Sequence, residues 1–281
     1  MVKIKHLASH VYVVAYKEDT SRLEDYFGSR GFVVKVLRRA YPPDELSLPS
    51  QVRCLLNHRD TWREIEAAGH CAIVVEADFV PVRDFEEAPA PFDPRHTPAA
   101  VGWLYAGGPV FYGFDQAGYA IGHSSTAVAL LITPKTACGL LDFAEAEMAD
   151  YKPDILLWDT YHSHFLRLQR GVATYIPFKQ YGDHGGIPNR DHAGNMQRIW
   201  HQGDVMLGPL AFLPLYAEGS WIRFRIIRIR AALRGLYRVF NGRFIEAPGF
   251  RASNQKLPML RFTLARWLPW TRSFSPSRPG S

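Results

Sequence analysis

Apolar and polar positions alternate along the chain in blocks short enough to read one element at a time. Residues 11–16, Val-Tyr-Val-Val-Ala-Tyr, are β-branched and aromatic and run into Lys17, Glu18 and Asp19, which predicts a strand and a turn. From about Ser21, Leu23, Tyr26 and Phe27 recur at helical spacing, and Gly28 and Gly31 mark the stop. Residues 32–37 predict a second strand. A strand, a helix and a strand in succession are the rhythm of an α/β sheet.

In 51–68 the apolar residues Val52, Leu55, Leu56, Trp62 and Ile65 fit one face of a helix that Gly69 ends. Residues 71–75 are continuously apolar, as in a strand buried on both faces, and lead straight into Glu76-Ala77-Asp78. Pro89, Pro91, Pro94 and Pro98 make 86–100 an irregular loop. Strands are predicted at 101–106, closed by Gly107-Gly108-Pro109, and at 127–132. Thr133-Pro134 then opens a helix, Thr as N-cap and Pro at the first helical position. The second half of 152–170 reads as helix and 173–177 as strand. No fixed repeat is visible, so residues 1–220 read as one α/β domain with long loops.

The C-terminal pattern differs. Ile222, Ile226, Ile229, Leu233, Leu236 and Phe240 are spaced by three or four, and Arg223, Arg230, Arg234 and Arg238 form a second stripe, predicting an amphipathic helix within 221–244. Residues 251–281, rich in Pro, Ser and Arg, read as a loose end. Charge sharpens the division. From 221 to 281 there are 13 Lys and Arg against Glu246 alone, or +12, whereas 1–220 hold 20 basic and 26 acidic residues, or −6. A basic helix on an acidic body asks for an anionic partner, and a bilayer surface suits it, each nearby basic residue adding about 1 kcal/mol. A helix packed on the body with its arginines in water is the open alternative. No nucleic-acid partner is expected, since neither a motif nor interleaved stacking aromatics accompany the charge.

With 281 residues, 47% hydrophobic and 21% charged, the chain can bury a real core, which excludes a fibre or a largely disordered polymer. Cys54, Cys71 and Cys138 are too few and too far apart for a disulfide framework, so a reducing compartment is expected. No signal-length apolar stretch follows the N-terminus. The most apolar later run, 205–217, contains Pro209 and Pro214 and falls short of the roughly 20 residues a membrane span needs. The expected location is cytoplasmic, peripheral at the inner face of the membrane.

The candidate chemistry centres on Glu76 and Asp78. At the end of a buried strand, alternation sends both carboxylates to one side, where they can engage one hard divalent cation. A plain solvated turn is the competing reading. The stretch Cys54-Leu55-Leu56-Asn57-His58-Arg59-Asp60-Thr61-Trp62, followed by Ile73-Val74-Val75-Glu76-Ala77-Asp78, resembles glycosyltransferase family 25, the lipopolysaccharide-type transferases. That family's usual form is Ser-His and a Trp on a helix, then an apolar strand and Glu-Asp-Asp; here Asn57 and Ala77 depart from it. Val13 to Tyr16 with Arg22, Gly122-His123, and Pro153-Asp154 through Asp159 extend the similarity over roughly residues 11–190.

The resemblance implies a GT-A fold, a nucleotide-sugar donor contacted by Tyr16, Arg22, His58, Glu76 and Asp78, and a Mn²⁺ or Mg²⁺ ion on Glu76 and Asp78. It further implies a downstream histidine as third ligand, here His184 in Gln180-Tyr181-Gly182-Asp183-His184-Gly185-Gly186, with His192 as substitute. The His184 segment itself reads as a flexible glycine-rich loop. An inverting transferase also needs a carboxylate base, for which Asp159 is the first candidate and Asp154 the second; an N-cap is the alternative for either. The implied acceptor is a membrane-associated glycan or a lipopolysaccharide-type glycan. Two other functions stay open. One is a non-catalytic glycan-assembly protein with a degenerate metal site, motivated by Ala77. The other is a metal-dependent hydrolase built on Asp159, His162 and His164, whose alternate spacing suits a strand and not a helix.

Overall fold

The computed structural model describes residues 2–149, 158–186, 201–217 and 219–274. In chain order its elements are α1 (Ile4–Leu7), β1 (His10–Ala15), α2 (Ser21–Ser29), β2 (Val33–Arg38), α3 (Pro43–Leu46), α4 (Ser50–Ala68), β3 (Ala72–Glu76) and β4 (Phe79–Pro81). Then come β5 (Ala100–Tyr105), β6 (Val110–Phe114), β7 (Ala120–His123), β8 (Ala129–Ile132), α5 (Pro134–Ala149), α6 (Trp158–Gln169), β9 (Ala173–Tyr175) and β10 (Gly182–His184). The C-terminal segment adds α7 (Trp221–Phe240), α8 (Ala247–Ala252) and α9 (Lys256–Ala265).

The continuous apolar runs form the middle of the sheet because both its faces are covered. Along β1, Val11 and Val13 enter one core layer with Ile73, Val75, Leu23 and Phe27. Tyr12 and Val14 enter the opposite layer with Val74, Leu55, Trp62, Leu140 and Trp158. Each fully buried Val, Leu or Phe stabilises the fold by about 1.5–3 kcal/mol relative to exposure. The helices end as their sequences dictate: Gly69 takes a left-handed conformation (φ 68°) that a side chain would strain, and caps α4 by donating to Ile65 and Glu66 carbonyls. Thr133 caps α5, its Oγ1 accepting from Thr136 N–H at 3.3 Å.

Among the described residues, eight strands make one mixed sheet in the order β2-β1-β3-β8-β5-β9-β7-β6. β2, β1 and β3 are parallel, with Val14 level with Glu76, while β8 and β7 run against their neighbours. The chain leaves β1 for β2 on one side and returns through α4 to β3 on the other. The strand order therefore reverses at β1, and the C-terminal ends of β1 and β3 flank a topological switch point, where open α/β sheets bind ligands. The protein is thus a mixed α/β fold with a large, mostly parallel sheet between helical layers.

Two short strands stand apart from that sheet. β4 pairs antiparallel with β10, Phe79 opposite His184 and Asp183 opposite Val80. The segment expected to be a flexible glycine-rich loop is therefore a paired strand. The C-terminal region also differs from expectation. α9 forms within the stretch that reads as loose, and its Met259 and Phe262 join Phe244, Phe111, Phe114 and Ile176 in a third apolar cluster. α7 forms as predicted but docks with the opposite face to that of an ordinary amphipathic helix. Arg228, Arg234 and Arg238 face the body, and the isoleucine stripe faces solvent. No helix among the described residues is long and apolar enough to cross a membrane.

Candidate functional site

Glu76 ends β3, and Asp78 lies two residues on, in the tight turn to β4. Their convergence comes from this turn and not from strand alternation. His184 arrives through the β4–β10 pairing, and its Nε2 sits 2.8 Å from Asp78 Oδ2. One donor atom from each of Glu76, Asp78 and His184 lies within 4.8 Å of the other two. The approach depends on glycine: a Cβ on Gly186 would fall 2.1 Å from Asp78 Oδ2, and Gly185 N–H donates to the Asp78 carbonyl at 2.8 Å.

Electrostatics tie the three together. Burial opposes the charge on His184, but the Asp78 carboxylate, then Glu76 and Asp183, override it and push the imidazole up to about 9. Burial likewise works against the Asp78 carboxylate, and His184, with His201 further off, holds it below the usual range. Asp78 Oδ1 is buried without a hydrogen-bond partner. Two carboxylates, an imidazole and an unsatisfied carboxylate oxygen are a donor set that fits a divalent cation.

His58, fully buried on α4, lies with Nε2 3.1 Å from Glu76 Oε1 and orients that carboxylate. Cys54 Sγ lies 3.8 Å from the same oxygen, so Cys54, His58 and Glu76 make a second group sharing Glu76. Burial, followed by the charges of Glu76, Asp159, Asp78 and Glu18, raises the Cys54 thiol well above its ordinary range, which leaves it neutral and unreactive. Asn57 donates Nδ2–H to the Ala15 carbonyl at 2.7 Å and fastens α4 to the end of β1.

Asp159 lies in the first turn of α6, and burial, then the Glu76 charge, push its carboxyl up to about 6. Asp154 and His192 lie outside the described residues. The Tyr16 ring meets Tyr41 edge to face at 5.3 Å, with the Arg53 guanidinium 5.6 Å and 6.0 Å from the two ring centres, forming an aromatic and cationic shelf beside Cys54. Arg22 is exposed on the first turn of α2 with Asp19 as a charged neighbour. His162 is buried between Trp103, Phe143 and Trp158 with neither ring nitrogen hydrogen-bonded, while His164 is exposed, so α6 sends the two histidines to different sides. His123 sits on β7, its Nδ1 2.6 Å from Tyr112 Oη.

Sequence reasoning missed three contributors. Arg53 has a buried Nε with no hydrogen-bond partner, and its mate Tyr41 lies across an irregular stretch. His201, its ring centre 5.2 Å from that of His184, carries no local signal. Asp183, beside His184 and fully buried, accepts from Gly203 N–H at 2.7 Å, Tyr216 Oη at 2.7 Å and Arg228 Nη1 at 2.9 Å. Such partners become visible only when β10, the 201–206 segment and α7 are assembled. No model of a known protein family and no curated protein matches the chain.

Proposed function

We propose that the chain is a divalent-metal-dependent glycosyltransferase of GT-A type, acting on a nucleotide-sugar donor and a membrane-associated glycan acceptor. The observation that carries the reading is the Glu76, Asp78 and His184 donor set beside the switch point between β1 and β3, with a proton-accepting carboxyl, Asp159, under the electrostatic influence of Glu76. Mn²⁺ or Mg²⁺ held by these three residues would neutralise charge on a departing nucleoside diphosphate. The chain's own groups do the rest. His58 fixes the Glu76 carboxylate. The Tyr16 and Tyr41 rings offer a stacking surface to a nucleobase, and Arg53, with its unsatisfied Nε, offers a donor to a phosphate oxygen. With its pKa near 6, Asp159 is largely ionised at pH 7 yet more basic than an ordinary aspartate, as a general base for an acceptor hydroxyl should be.

Neither competing function gains from the geometry. Ala77, the departure that motivates a degenerate metal site, leaves Glu76, Asp78 and His184 with donor atoms within 4.8 Å of one another. The histidines of a hydrolase centre on α6 do not converge. The test is calorimetric titration of the whole chain with nucleoside diphosphates, with and without Mn²⁺. Binding that requires the metal and is lost in Asp78→Asn supports the reading; diphosphate binding indifferent to both overturns it. Consumption of nucleotide sugar that yields only free sugar, with glycan acceptors present, would move the assignment to hydrolysis.

A further inference from the structure

α7 is a helix mounted with its charged face inward. Arg228 donates to the carbonyls of Gly203 and Asp204 and to Asp183, Arg234 to the Gln202 carbonyl, and Arg238 to the Gly108 carbonyl. Ala231 and Gly235 make the close contact with the body, where the Trp267 ring lies against Gly235. The apolar stripe of Ile222, Ile226, Ile229, Leu233, Tyr237 and Phe240 is left in solvent, each residue between 47% and 84% exposed. Leu257, Leu260 and Leu264 are exposed along α9 as well. A helix that only packed onto the body would bury such a stripe, and isolated exposed leucines need no explanation whereas a contiguous apolar band does.

At 100° per residue, Arg225 borders one side of the stripe, and Arg223 and Arg230 border the other, all exposed. No acidic residue occurs from 221 to 245, and 221–281 as a whole carry +12. We propose that this solvent face of α7 docks on an anionic lipid bilayer, lying in the plane of the interface with its apolar stripe among the acyl chains and its flanking arginines at the headgroups. Charge decides the occupant. Two copies of the chain meeting through this stripe would set arginine rims against each other, with no acid to offset them. Nucleic acid would find the centre of the patch apolar. An anionic headgroup layer complements both the rim and the centre. The inference goes beyond the transferase reading and is tested without donor or metal.

The experiment is cosedimentation of the full chain with phosphatidylcholine vesicles, with and without phosphatidylglycerol. The chain should pellet with the anionic vesicles and less with the neutral ones. An ionic strength of about 1 M, where charge reaches only about 3 Å, should release part of it and leave the rest bound. Arg223→Gln with Arg225→Gln should weaken anionic binding about 25-fold, near fivefold for each charge, and flatten the salt dependence. Ile229→Ser with Leu233→Ser should abolish the salt-resistant fraction. Both variants alter only exposed side chains, and an unchanged far-UV spectrum and melting point keep the comparison valid. Absence of binding to anionic vesicles, complete release by salt, or a wild-type dimer that Leu233→Ser dissociates would each overturn the proposal.

Discussion

His184 carries a proton that a metal ion would have to displace to take the ring as a ligand. Its imidazole is held up to about 9 by Asp78, Glu76 and Asp183 against the opposing effect of burial. A metal ligand must be the neutral ring. At pH 7, two units below that value, removing the proton costs about 2.7 kcal/mol, so apparent affinity should lie roughly a hundredfold below its high-pH limit. The sign is fixed. Affinity for Mn²⁺ should rise about tenfold per unit from pH 7 towards 9, with close to one proton released for each ion bound. Calorimetry at pH 7.5 in buffers of different ionisation enthalpy reads that proton directly. His184→Ala should bind the ion more weakly, release no proton and lose the slope.

The apo protein supplies an independent check of the same linkage. A histidine raised from 6.5 to about 9 by folding adds stability that is complete below pH 6.5 and is lost as pH rises through 9. The contribution is about 3 kcal/mol, and urea unfolding in chelator at the two ends of that window measures it. Metal binding without proton release, together with a flat stability profile, would refute the assignment of His184 as both the partner of Asp78 and a ligand.

Asp159→Asn should lower turnover by about 10²–10⁴-fold with donor affinity unchanged, and wild-type turnover should fall as pH drops through about 6, where the base becomes protonated. Gly186→Ala forces a methyl against Asp78 Oδ2 and should weaken Mn²⁺ binding about 10–100-fold, read by calorimetry beside an unchanged far-UV spectrum. Arg228→Met leaves the buried Asp183 carboxylate without its guanidinium and should cost about 3–5 kcal/mol, on the order of 10 °C in melting temperature. A loss of less than about 1 kcal/mol would mean that Tyr216 and Gly203 satisfy Asp183 alone.

The elements from β1 to β3 were legible because their signals are local. Val11 to Val14 and Ile73 to Val75 are apolar at every position since both faces are covered, and Gly69 stops α4 through its own backbone. Glu76 and Asp78 stood out for the same reason. The remainder depends on distant pairings. β4 and β10 have three residues each, too few for a period, and His184 reaches Asp78 only through their register. α9 was obscured by Pro258 and by Arg266, a buried arginine that donates to the Phe178 carbonyl at 2.6 Å and pairs with Asp204 at 3.1 Å. Periodicity showed that α7 has two faces, but which one meets the body was not encoded within the helix.

That choice is made by polar groups elsewhere in the chain. The carbonyls of Gln202, Gly203, Asp204 and Gly108 each accept from an α7 arginine, and Asp183 presents a fully buried carboxylate beside them. An isoleucine face laid on these groups would leave several acceptors unpaired, each costing about 1–3 kcal/mol and the carboxylate more. Turning the arginines inward removes that penalty and places the apolar stripe outside. The same contacts hold the segment that carries His201 against β10, where Asp183 adjoins His184. One helix therefore has two consequences that cannot be separated by sequence position: its inner face braces the carboxylate and imidazole cluster, and its outer face is left apolar because the inner one had to be polar.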